Sequence, residues 1–451
     1  MSFLEGYRRV LKDLPVCYSE AEVNVERRGS TVIKYANGEI IETHSSETAE
    51  IFVRVVHEKT GYAYTQDLDE EPNYVLLRAL NNSQFVERLK NDRLNGYSVS
   101  RKVSDSSRNS DLDIPSMKAA AKKLEETVRL VDSNISSIAV EICAEKQRRN
   151  VVNSYGLDVE SSMDLYSVTA TVMAERNGEQ YDASYYESTS RLEDVDPEKF
   201  KERISASLSY QYDAGEMQTG LYTVLLDSTV VTNIMMTAWQ LFSGLKYGDG
   251  SSALSGKLGQ ALGSSCFSVT DSPSHELTGY HYEFDCEGTP SRKERLVDGG
   301  RLVGLMHNIA SANRLHTFST GNAGRYALLS GSIPTDIIIT PKIVHVEPGS
   351  KSVASLLEEM GEGVYITHSY DVFHSINIGS GGFSIPCRGT VIRNGCEDCN
   401  VTGLTMSGRL TDLFSRVRAA GNDLYIEEFL RKSYCVGAPS LLIEKLQING
   451  K

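Results

Sequence analysis

The chain has 451 residues, of which 40% are apolar and 24% are charged, and no apolar run approaches the length of a membrane span. Its formal net charge of -14 has the wrong sign for affinity to a nucleic-acid phosphate backbone. Eight cysteines spread over a chain of this length argue against a disulfide framework. Because the first residues also carry no apolar segment typical of secretion, we expect a cytoplasmic protein of two or three domains that binds neither nucleic acid nor membrane.

The first predicted unit consists of a helix, antiparallel strands and a second helix. An amphipathic stretch opens it, and runs of alternating apolar residues follow between glycine-containing turns. Because proline suits the first turn of a helix, we expect the closing helix to begin at Pro72. The other predicted segments are Phe3 to Leu14, Glu22 to Glu26, Ala49 to Val56 and Tyr62 to Thr65, with turns at Asn37-Gly38 and Gly61.

A second unit repeats this order of elements. A helix over Met117 to Val131 precedes strands at Ser137 to Ile142 and Tyr166 to Ala174, and the unit ends with a helix that begins at Pro197. Matching landmarks of the two units lie at a nearly constant distance along the chain, which predicts an internal duplication. The offsets are 117 residues from Val23 to Val140, 118 from Gly38 to Gly156 and 117 from Gly61 to Gly178.

From Gly220 onward the pattern changes to strands interrupted by many glycines. The predicted elements are a strand over Tyr222 to Leu226, a helix over Ser228 to Leu245, strands over Asp336 to Thr340 and Val364 to Thr367, and a glycine-rich strand region from Ile378 to Gly395. This composition is typical of one large β-rich domain.

The fold class predicted from these patterns is α+β, with duplicated N-terminal α/β units (helix, antiparallel strands, helix) and a large β-rich C-terminal domain. We place the N-terminal domain at 1–97 and the second unit at 113–219. Between them, 98–112 is serine-rich and lacks apolar periodicity, which indicates a linker or flexible loop. The C-terminal domain occupies 220–451.

Short segments along the whole chain occur in a recognisable order and spacing. They are Phe52 to Val55, Gly61 to Thr65, Phe284 to Gly288, Leu296 to Leu302, Ala310 to Arg314, Thr320 to Ala323, Gly381 to Ser384, Gly389 to Gly395, Met406 to Gly408 and Ala438 to Ile443. Each is too short to be specific alone. Together they resemble the TldD/PmbA family, whose members are also called modulators of DNA gyrase.

The resemblance implies a choice between two arms of that family. In the TldD arm a helix carries His-Glu, three further residues and His as zinc-site residues, with a cysteine near the C-terminus as another ligand. The corresponding positions here are Met236, Thr237 and Leu241, none of which can bind zinc as imidazole or thiolate would, or act as a general base. Cys435 lies closer to Pro439 than the cysteine motif requires. The PmbA/TldE arm fits better, so we expect no catalytic residue, metal or cofactor in this chain.

Two histidines, His275 and His281, resemble a zinc-peptidase signature with the wrong spacing. On a helix, a separation of six residues would place them about 240° apart, so they could not share a face. Proline and glycine nearby favour a loop leading into a strand. Cys396 and Cys399 have the spacing of a zinc knuckle, but without a second pair they indicate the tip of a hairpin after Asn394-Gly395.

Other polar residues are interpreted from their glycine-rich surroundings. Gly250 to Lys257 misses the phosphate-binding loop pattern by one residue, which favours a flexible loop at the edge of a groove. Asp285, Glu287 and Asn322 are expected to satisfy backbone amides of turns. Arg325 follows a glycine-rich turn and could hold a peptide carboxylate by a bidentate contact, so it is the candidate substrate-binding residue.

What the resemblance implies is a non-catalytic PmbA/TldE-like subunit of a TldD/TldE zinc metallopeptidase that degrades unfolded or small peptides, such as antitoxins or microcin precursors. Zinc is then expected only in the TldD-type partner. The sequence leaves two alternatives open: a metallopeptidase with unorthodox ligands such as His275, His281 and Cys286, and a stand-alone, protein-binding modulator of DNA gyrase. A homodimer in isolation and a heteromer with the partner are equally compatible with it.

Overall fold

A computed structural model describes residues 3–14, 20–85, 93–96, 100–102, 114–325, 337–429 and 434–450. The helices are α1 Phe3–Lys12, α2 Pro72–Asn82, α3 Ile114–Val128, α4 Pro197–Ser209, α5 Ser228–Ala238, α6 Gly244–Asp249, α7 Ile309–Arg314, α8 Val353–Met360 and α9 Leu410–Ser415. Among the described helices, none is both long and apolar enough to cross a membrane.

The strands of the N-terminal half are β1 Glu20–Ala36, β2 Glu39–Val56, β3 Thr60–Thr65, β4 Ser100–Lys102, β5 Ile135–Asn153, β6 Asp158–Arg176 and β7 Glu179–Thr189. Those of the C-terminal half are β8 Gly220–Leu226, β9 Val269–Ser272, β10 Glu294–Asp298, β11 Arg301–Leu302, β12 Ala323–Gly324, β13 Ile338–Ile339, β14 Ile343–Val346, β15 Gly363–Ser369, β16 Gly382–Arg393, β17 Cys396–Arg409, β18 Val417–Ala420, β19 Tyr425–Phe429, β20 Tyr434–Ala438 and β21 Leu441–Asn449. The predicted α+β class is confirmed.

One continuous sheet contains the strands of both N-terminal units. Its order is β3-β2-β1-β5-β6, and β7 and the short β4 pair with different parts of β6. Each half therefore has the order helix, three antiparallel strands, helix, and the two halves meet where β1 pairs with β5. The duplication itself stays a prediction. Within the predicted linker 98–112, residues 100–102 form β4, and the rest lies outside the described residues.

The long strands were only partly predicted. β5 and β6 each span 19 residues, whereas alternation marked much shorter segments. The pattern breaks at 27–30 and 145–150, where polar residues occupy both faces of the sheet, and the strands nevertheless continue. The predicted turns at Asn37-Gly38 and Asn394-Gly395 are confirmed, because both residues of each have positive φ, as a two-residue hairpin turn of type I′ requires. The turn predicted at Gly61 is wrong, because Gly61 lies within β3.

The two faces of the N-terminal sheet differ in chemistry. Val23 and Val53 on one face pack with α1 and α2, and farther along the same sheet Ile142 and Val172 belong to a core that includes α3 and α4. Gly61 lets β3 approach the end of α2, because a Cβ there would lie 1.9 Å from the carbonyl oxygen of Ala79. The opposite face carries buried charged residues such as Arg54 together with apolar residues such as Met163, and it contacts the C-terminal domain.

The C-terminal domain contains two six-stranded sheets around one large apolar core. One has the order β11-β10-β9-β14-β20-β19, and the other the order β17-β16-β15-β8-β21-β18. Because β17 also pairs with β21, five strands of the second sheet close on themselves. Helix α5 packs against strands of both sheets, including β20 and β15.

The predicted helix over Ser228 to Leu245 is wrong in its second half. α5 ends at Ala238, a 3₁₀ turn covers Trp239–Phe242, and α6 begins at Gly244 after an extended Ser243. The reason is a close approach that periodicity does not reveal. A Cβ at Gly244 would lie 2.3 Å from Nδ1 of His307, so the chain breaks where it packs against that ring.

Candidate functional site

The three positions that the resemblance assigns to a zinc site lie in the C-terminal core. Met236 and Thr237 belong to α5, and Leu241 belongs to the following 3₁₀ turn. The relative exposure of Thr237 is 3% and that of Leu241 is 0%, while Met236 is half-buried against the same core. None of the three supplies an imidazole, thiolate or carboxylate, so these three positions do not offer zinc its usual ligands.

Strand β20 turns its cysteine away from this helix. The Tyr434 hydroxyl donates to the Met236 carbonyl at 3.3 Å, and the Tyr434 ring packs edge-on against Trp239. Because neighbouring side chains of a strand point to opposite faces, Cys435 lies on the other side, buried in a cluster with Met163. Burial raises the pKa of the Cys435 thiol well above its usual value.

A substitution of Thr237 can test whether its buried hydroxyl binds a hydrogen-bond partner. Its Oγ1 is buried and has no hydrogen-bond partner among the described residues. We expect Thr237→Val to leave the free energy of unfolding in urea unchanged or to raise it by up to about 1 kcal/mol, because an unsatisfied buried hydroxyl is removed. Thr232→Val in the same helix is the matched control, since its hydroxyl donates to the Tyr425 carbonyl at 3.3 Å and should be missed. A larger loss at position 237 than at 232 would contradict the expectation.

A second set of polar residues lies where the C-terminal domain contacts the face of the N-terminal sheet that is not covered by α1 to α4. The segment Phe284–Gly288 contributes most of it. The Asn24 side chain, on β1, donates to the Cys286 carbonyl at 3.0 Å, and that of Asn95 donates to the Glu287 carbonyl at 3.2 Å. Both asparagines are buried. The segment is therefore hydrogen-bonded to the N-terminal half through its backbone.

Arg54 bridges two buried carboxylates across this interface. Its guanidinium lies 3.0 Å from Glu287 of the C-terminal domain and 3.2 Å from Glu22 on the neighbouring strand β1. All three side chains are 1% exposed. A second Glu287 oxygen accepts the Ile309 amide at 2.8 Å, at the start of α7. A buried pair of this kind costs much desolvation, so it stabilises the interface only while its partners are complete.

Burial also shifts the protonation of these acids. Loss of hydration raises the pKa of Glu287 to about 8, although Arg54 opposes the shift. Burial likewise raises the pKa of Asp285 to about 6, although its carboxylate accepts the amides of Glu287, Thr289 and Ala323. The expectation for Asp285 as a turn residue is confirmed. For Glu287 it is only partly right, because one carboxyl oxygen accepts the Ile309 amide while the other pairs with Arg54.

Beside this network lies a small cavity of about 50 Å³ between the two halves. Arg28 and Arg149 line it from the N-terminal sheet, and Arg325 and Lys342 line it from the C-terminal domain. Arg28 and Arg149 both pair with Glu26. Burial alone would raise the pKa of Glu26, but the two arginines outweigh this and lower it to about 2.

Arg325 reaches across the interface to aromatic rings of the N-terminal sheet. Its guanidinium carbon lies 4.7 Å from the ring centre of Phe52 and 5.9 Å from that of Tyr62. Its Nε and Nη1 atoms are buried, with no hydrogen-bond partner among the described residues. The aromatic contacts fix the guanidinium, while the two N–H groups stay available to an acceptor.

Asn322 does not cap turn amides as expected. Its side-chain amide donates to Asp271 at 2.7 Å and to the Thr340 carbonyl at 2.9 Å, and its oxygen accepts from Lys342 at 3.1 Å. Lys342 in turn lies 2.8 Å from Asp271. This buried network holds the strand ends behind the cavity in place.

The remaining sequence candidates lie apart from the interface network or in its wall. His275 packs against the ring of His345, His281 contacts the Ser162 carbonyl at 3.1 Å, and Cys286 is a buried thiol whose pKa burial raises strongly. No group of three or more potential metal ligands occurs in the described parts of the chain, so His275, His281 and Cys286 do not form a metal site there. Cys396 and Cys399 are exposed just after the Asn394-Gly395 turn, which confirms the predicted hairpin.

The loop 250–257 is held by hydrogen bonds to neighbouring segments. The Ser252 hydroxyl donates to the Leu241 carbonyl at 2.8 Å, and the Ala253 amide donates to the Ile378 carbonyl at 3.0 Å.

Sequence reasoning missed Glu22, Arg54 and Arg149 as site residues. Arg54 did carry a signal, because it is a lone charge within the apolar run Ile51 to Val56.

The chain matches models of a known protein family along most of its length. Models of the PmbA/TldA metallopeptidase family match the chain in three parts: domain 1 over residues 21–83, the central domain over 107–209 and the C-terminal domain over 219–450. The fold and its buried interface thus define an α+β protein built on a metallopeptidase scaffold. The chain belongs to the PmbA/TldD metallopeptidase family, and the family expected from the sequence is confirmed.

Relatives and solved structures agree with this assignment. The chain is 25% identical over 356 residues to an uncharacterized protein of Methanocaldococcus jannaschii. The matched region covers 76% of each of the two chains. It is 24% identical over 302 residues to a metalloprotease PmbA homolog of Buchnera aphidicola, which covers 66% of this chain and 62% of that protein.

Two crystal structures share the fold over nearly the full length. A Thermotoga maritima protein named as a modulator of a DNA gyrase is 27% identical, with a TM-score of 0.83 over 99% of this chain and 100% of that one. TldE from Thermococcus kodakarensis has a TM-score of 0.81 at 19% identity, over 99% of this chain and 100% of that one.

Proposed function

We propose that this chain is a non-catalytic, TldE-type subunit that pairs with a TldD-type zinc metallopeptidase chain in the degradation of unfolded or small peptides. The proposal is carried by the residues at the positions that the resemblance assigns to the zinc site, which are Met236 and Thr237 on α5 and Leu241 in the following 3₁₀ turn. In this proposal zinc is bound only by the partner, and the complex acts in the cytoplasm. The free cysteines of the described residues fit a reducing compartment.

Two features of the packing support a structural role for α5. Leu241 is fully buried between the sheets, so a metal ligand at this position would displace core side chains. Cys435 faces the N-terminal sheet and not α5, so the cysteine near the C-terminus is not aimed at the helix either. A subunit of this kind contributes by enclosing the partner's metal site, which excludes water and folded substrates.

The first test uses the purified chain, a TldD-type chain from the same genome, and their mixture. We expect the two chains to co-elute in size-exclusion chromatography. We also expect the mixture to cleave an unfolded peptide at least about tenfold faster than either chain alone, a difference of about 1.4 kcal/mol in the barrier. Zinc should be stoichiometric in the TldD-type chain and absent from this one, as measured by elemental analysis. A zinc chelator should abolish cleavage by the mixture.

Specific outcomes would refute the proposal. Stoichiometric zinc in this chain alone, together with peptide cleavage, would show that it is itself a metallopeptidase, as the names of several relatives suggest. Capture of DNA gyrase without binding to the TldD-type chain would favour a stand-alone modulator, the activity named for the Thermotoga protein.

A further inference from the structure

The small cavity between the two halves contains hydrogen-bond donors that the described residues leave unused. Nε of Arg149, Nε and Nη1 of Arg325 and Oγ of Ser291 are buried without a partner among those residues. Arg149 is held in place because its Nη2 donates to Glu26 at 3.5 Å. Buried guanidinium N–H groups are costly when unpaired. Because the side chains that carry these groups line one cavity, the unpaired N–H and O–H groups indicate a ligand that supplies oxygen acceptors.

One acceptor complements these donors. Oε2 of Glu283 lines the same cavity and is also buried without a partner among the described residues. A simple anion would be repelled by this carboxylate. The last residue of a peptide offers both halves of the pattern, because its carboxylate accepts from guanidinium groups and its backbone N–H donates to a carboxylate.

The sizes of the spaces fit the end of an extended chain. The cavity of about 50 Å³ holds only a few water-sized groups. Glu283, Phe284 and Ser291 also line a larger groove of about 970 Å³ between the same two halves. The groove wall includes the apolar side chains of Leu157 and Ile309. A peptide could therefore place its terminus in the cavity and its preceding residues along the groove.

We infer that this cavity binds the C-terminal carboxylate of a peptide, with Arg149 and Arg325 as the donors and Glu283 as the acceptor of the last backbone N–H. The inference rests on the proposed function, because it takes a peptide as the ligand. Phe52 and Tyr62 hold the Arg325 guanidinium in position through its aromatic contacts. The ammonium of Lys342 is already paired with Asp271 and contributes general positive charge rather than a direct contact.

The test measures binding to the full chain alone by isothermal titration calorimetry. The probes are an N-acetylated tripeptide of alanine with a free carboxylate, the same tripeptide with a C-terminal amide, and acetate. We expect the free acid to bind at least about tenfold more tightly than the amide or acetate, since the charge-assisted contacts need the carboxylate and the groove needs the chain. Arg325→Gln should weaken binding of the free acid by about ten- to a hundredfold. Arg393→Gln, on an exposed hairpin, is the matched control and should leave it unchanged.

Each other result overturns the inference. Equal binding of acid and amide would remove the carboxylate contact, equal binding of acetate and tripeptide would reduce the cavity to a site for free oxyanions, and absence of binding would leave it to water. The comparison of probes needs no variant, so it decides even if Arg325→Gln folds poorly. A chain that binds the free acid but does not co-elute with a TldD-type chain refutes only the proposed function. The reverse result refutes only the carboxylate site.

Discussion

Replacing Arg54 with methionine is expected to destabilise the folded chain by about 3 to 5 kcal/mol at about pH 9, where Glu287 is ionised; this is the range found when one partner of a buried ion pair is removed. Methionine fills similar volume but leaves Glu22 and Glu287 without their shared cation at 1% exposure. The measurement is the free energy of unfolding from urea titration. Because both halves of the chain contribute a carboxylate, we expect the contact between them to loosen first.

The loss should depend on pH in a defined direction. At pH 5 Glu287 is protonated with or without Arg54, because its pKa in the folded chain is raised to about 8, so the difference between wild type and Arg54→Met should be smaller than at about pH 9. Arg191→Met is the matched control, because Arg191 is 47% exposed beside Glu193 and such a surface pair contributes about 0 to 1 kcal/mol. If the two variants lost equal stability, the buried bridge would have no special role.

The N-terminal fold was largely predictable because its signals are local. Alternation, asparagine-glycine turns and proline at the first helical position each act within a few residues, and they marked β2, β6, α2 and α4 in the right order. Strand length was not predictable in the same way. Polar residues such as Arg27 and Arg148 lie opposite each other in the middle of the paired strands β1 and β5, and the hydrogen-bond ladder continues through them.

The interface site was hidden because its contacts are long-range. Arg54 and Glu287 are separated by 233 residues, and each looked locally like something else: a charge within a strand and a turn residue. Arg325 was identified from its glycine-rich turn, but its placement against Phe52 depends on how the two halves meet. When a site is built from residues of two domains, each segment of the sequence contains only an isolated charged residue, and the site cannot be predicted from that segment alone.

The positions assigned to a zinc site were chosen by resemblance to a family and not from long-range contacts. The assignment of zinc positions to Met236, Thr237 and Leu241 stays a prediction, and in the structure these residues lie on α5 and the turn after it. What the resemblance did not reveal is the break at Ser243. That break depends on a close approach of Gly244 to His307, 63 residues away.

The acid network makes a second strong prediction, about pH. The folded-state pKa of Glu287 is raised from 4.5 to about 8, so the folded chain keeps a proton that the unfolded chain releases. The stability that this group contributes is therefore fully present below pH 4.5 and is lost as the pH rises to about 8. A displacement of this size corresponds to several kcal/mol. Asp285, whose pKa burial raises to about 6, adds a loss of the same sign at lower pH.

Glu287→Gln isolates the contribution of one carboxyl group. The amide cannot ionise, so the difference in unfolding free energy between the variant and wild type should change by several kcal/mol between pH 5 and pH 8.5, in favour of the variant. The variant also alters hydrogen bonds to Arg54 and Ile309, so its stability at one pH does not decide the question. The quantity to compare is the change of the unfolding free energy with pH. Glu276→Gln, at an exposed position of the same domain, is the matched control. A difference between wild type and Glu287→Gln that stayed constant with pH would mean that Glu287 is ionised throughout, held charged by Arg54 despite its burial.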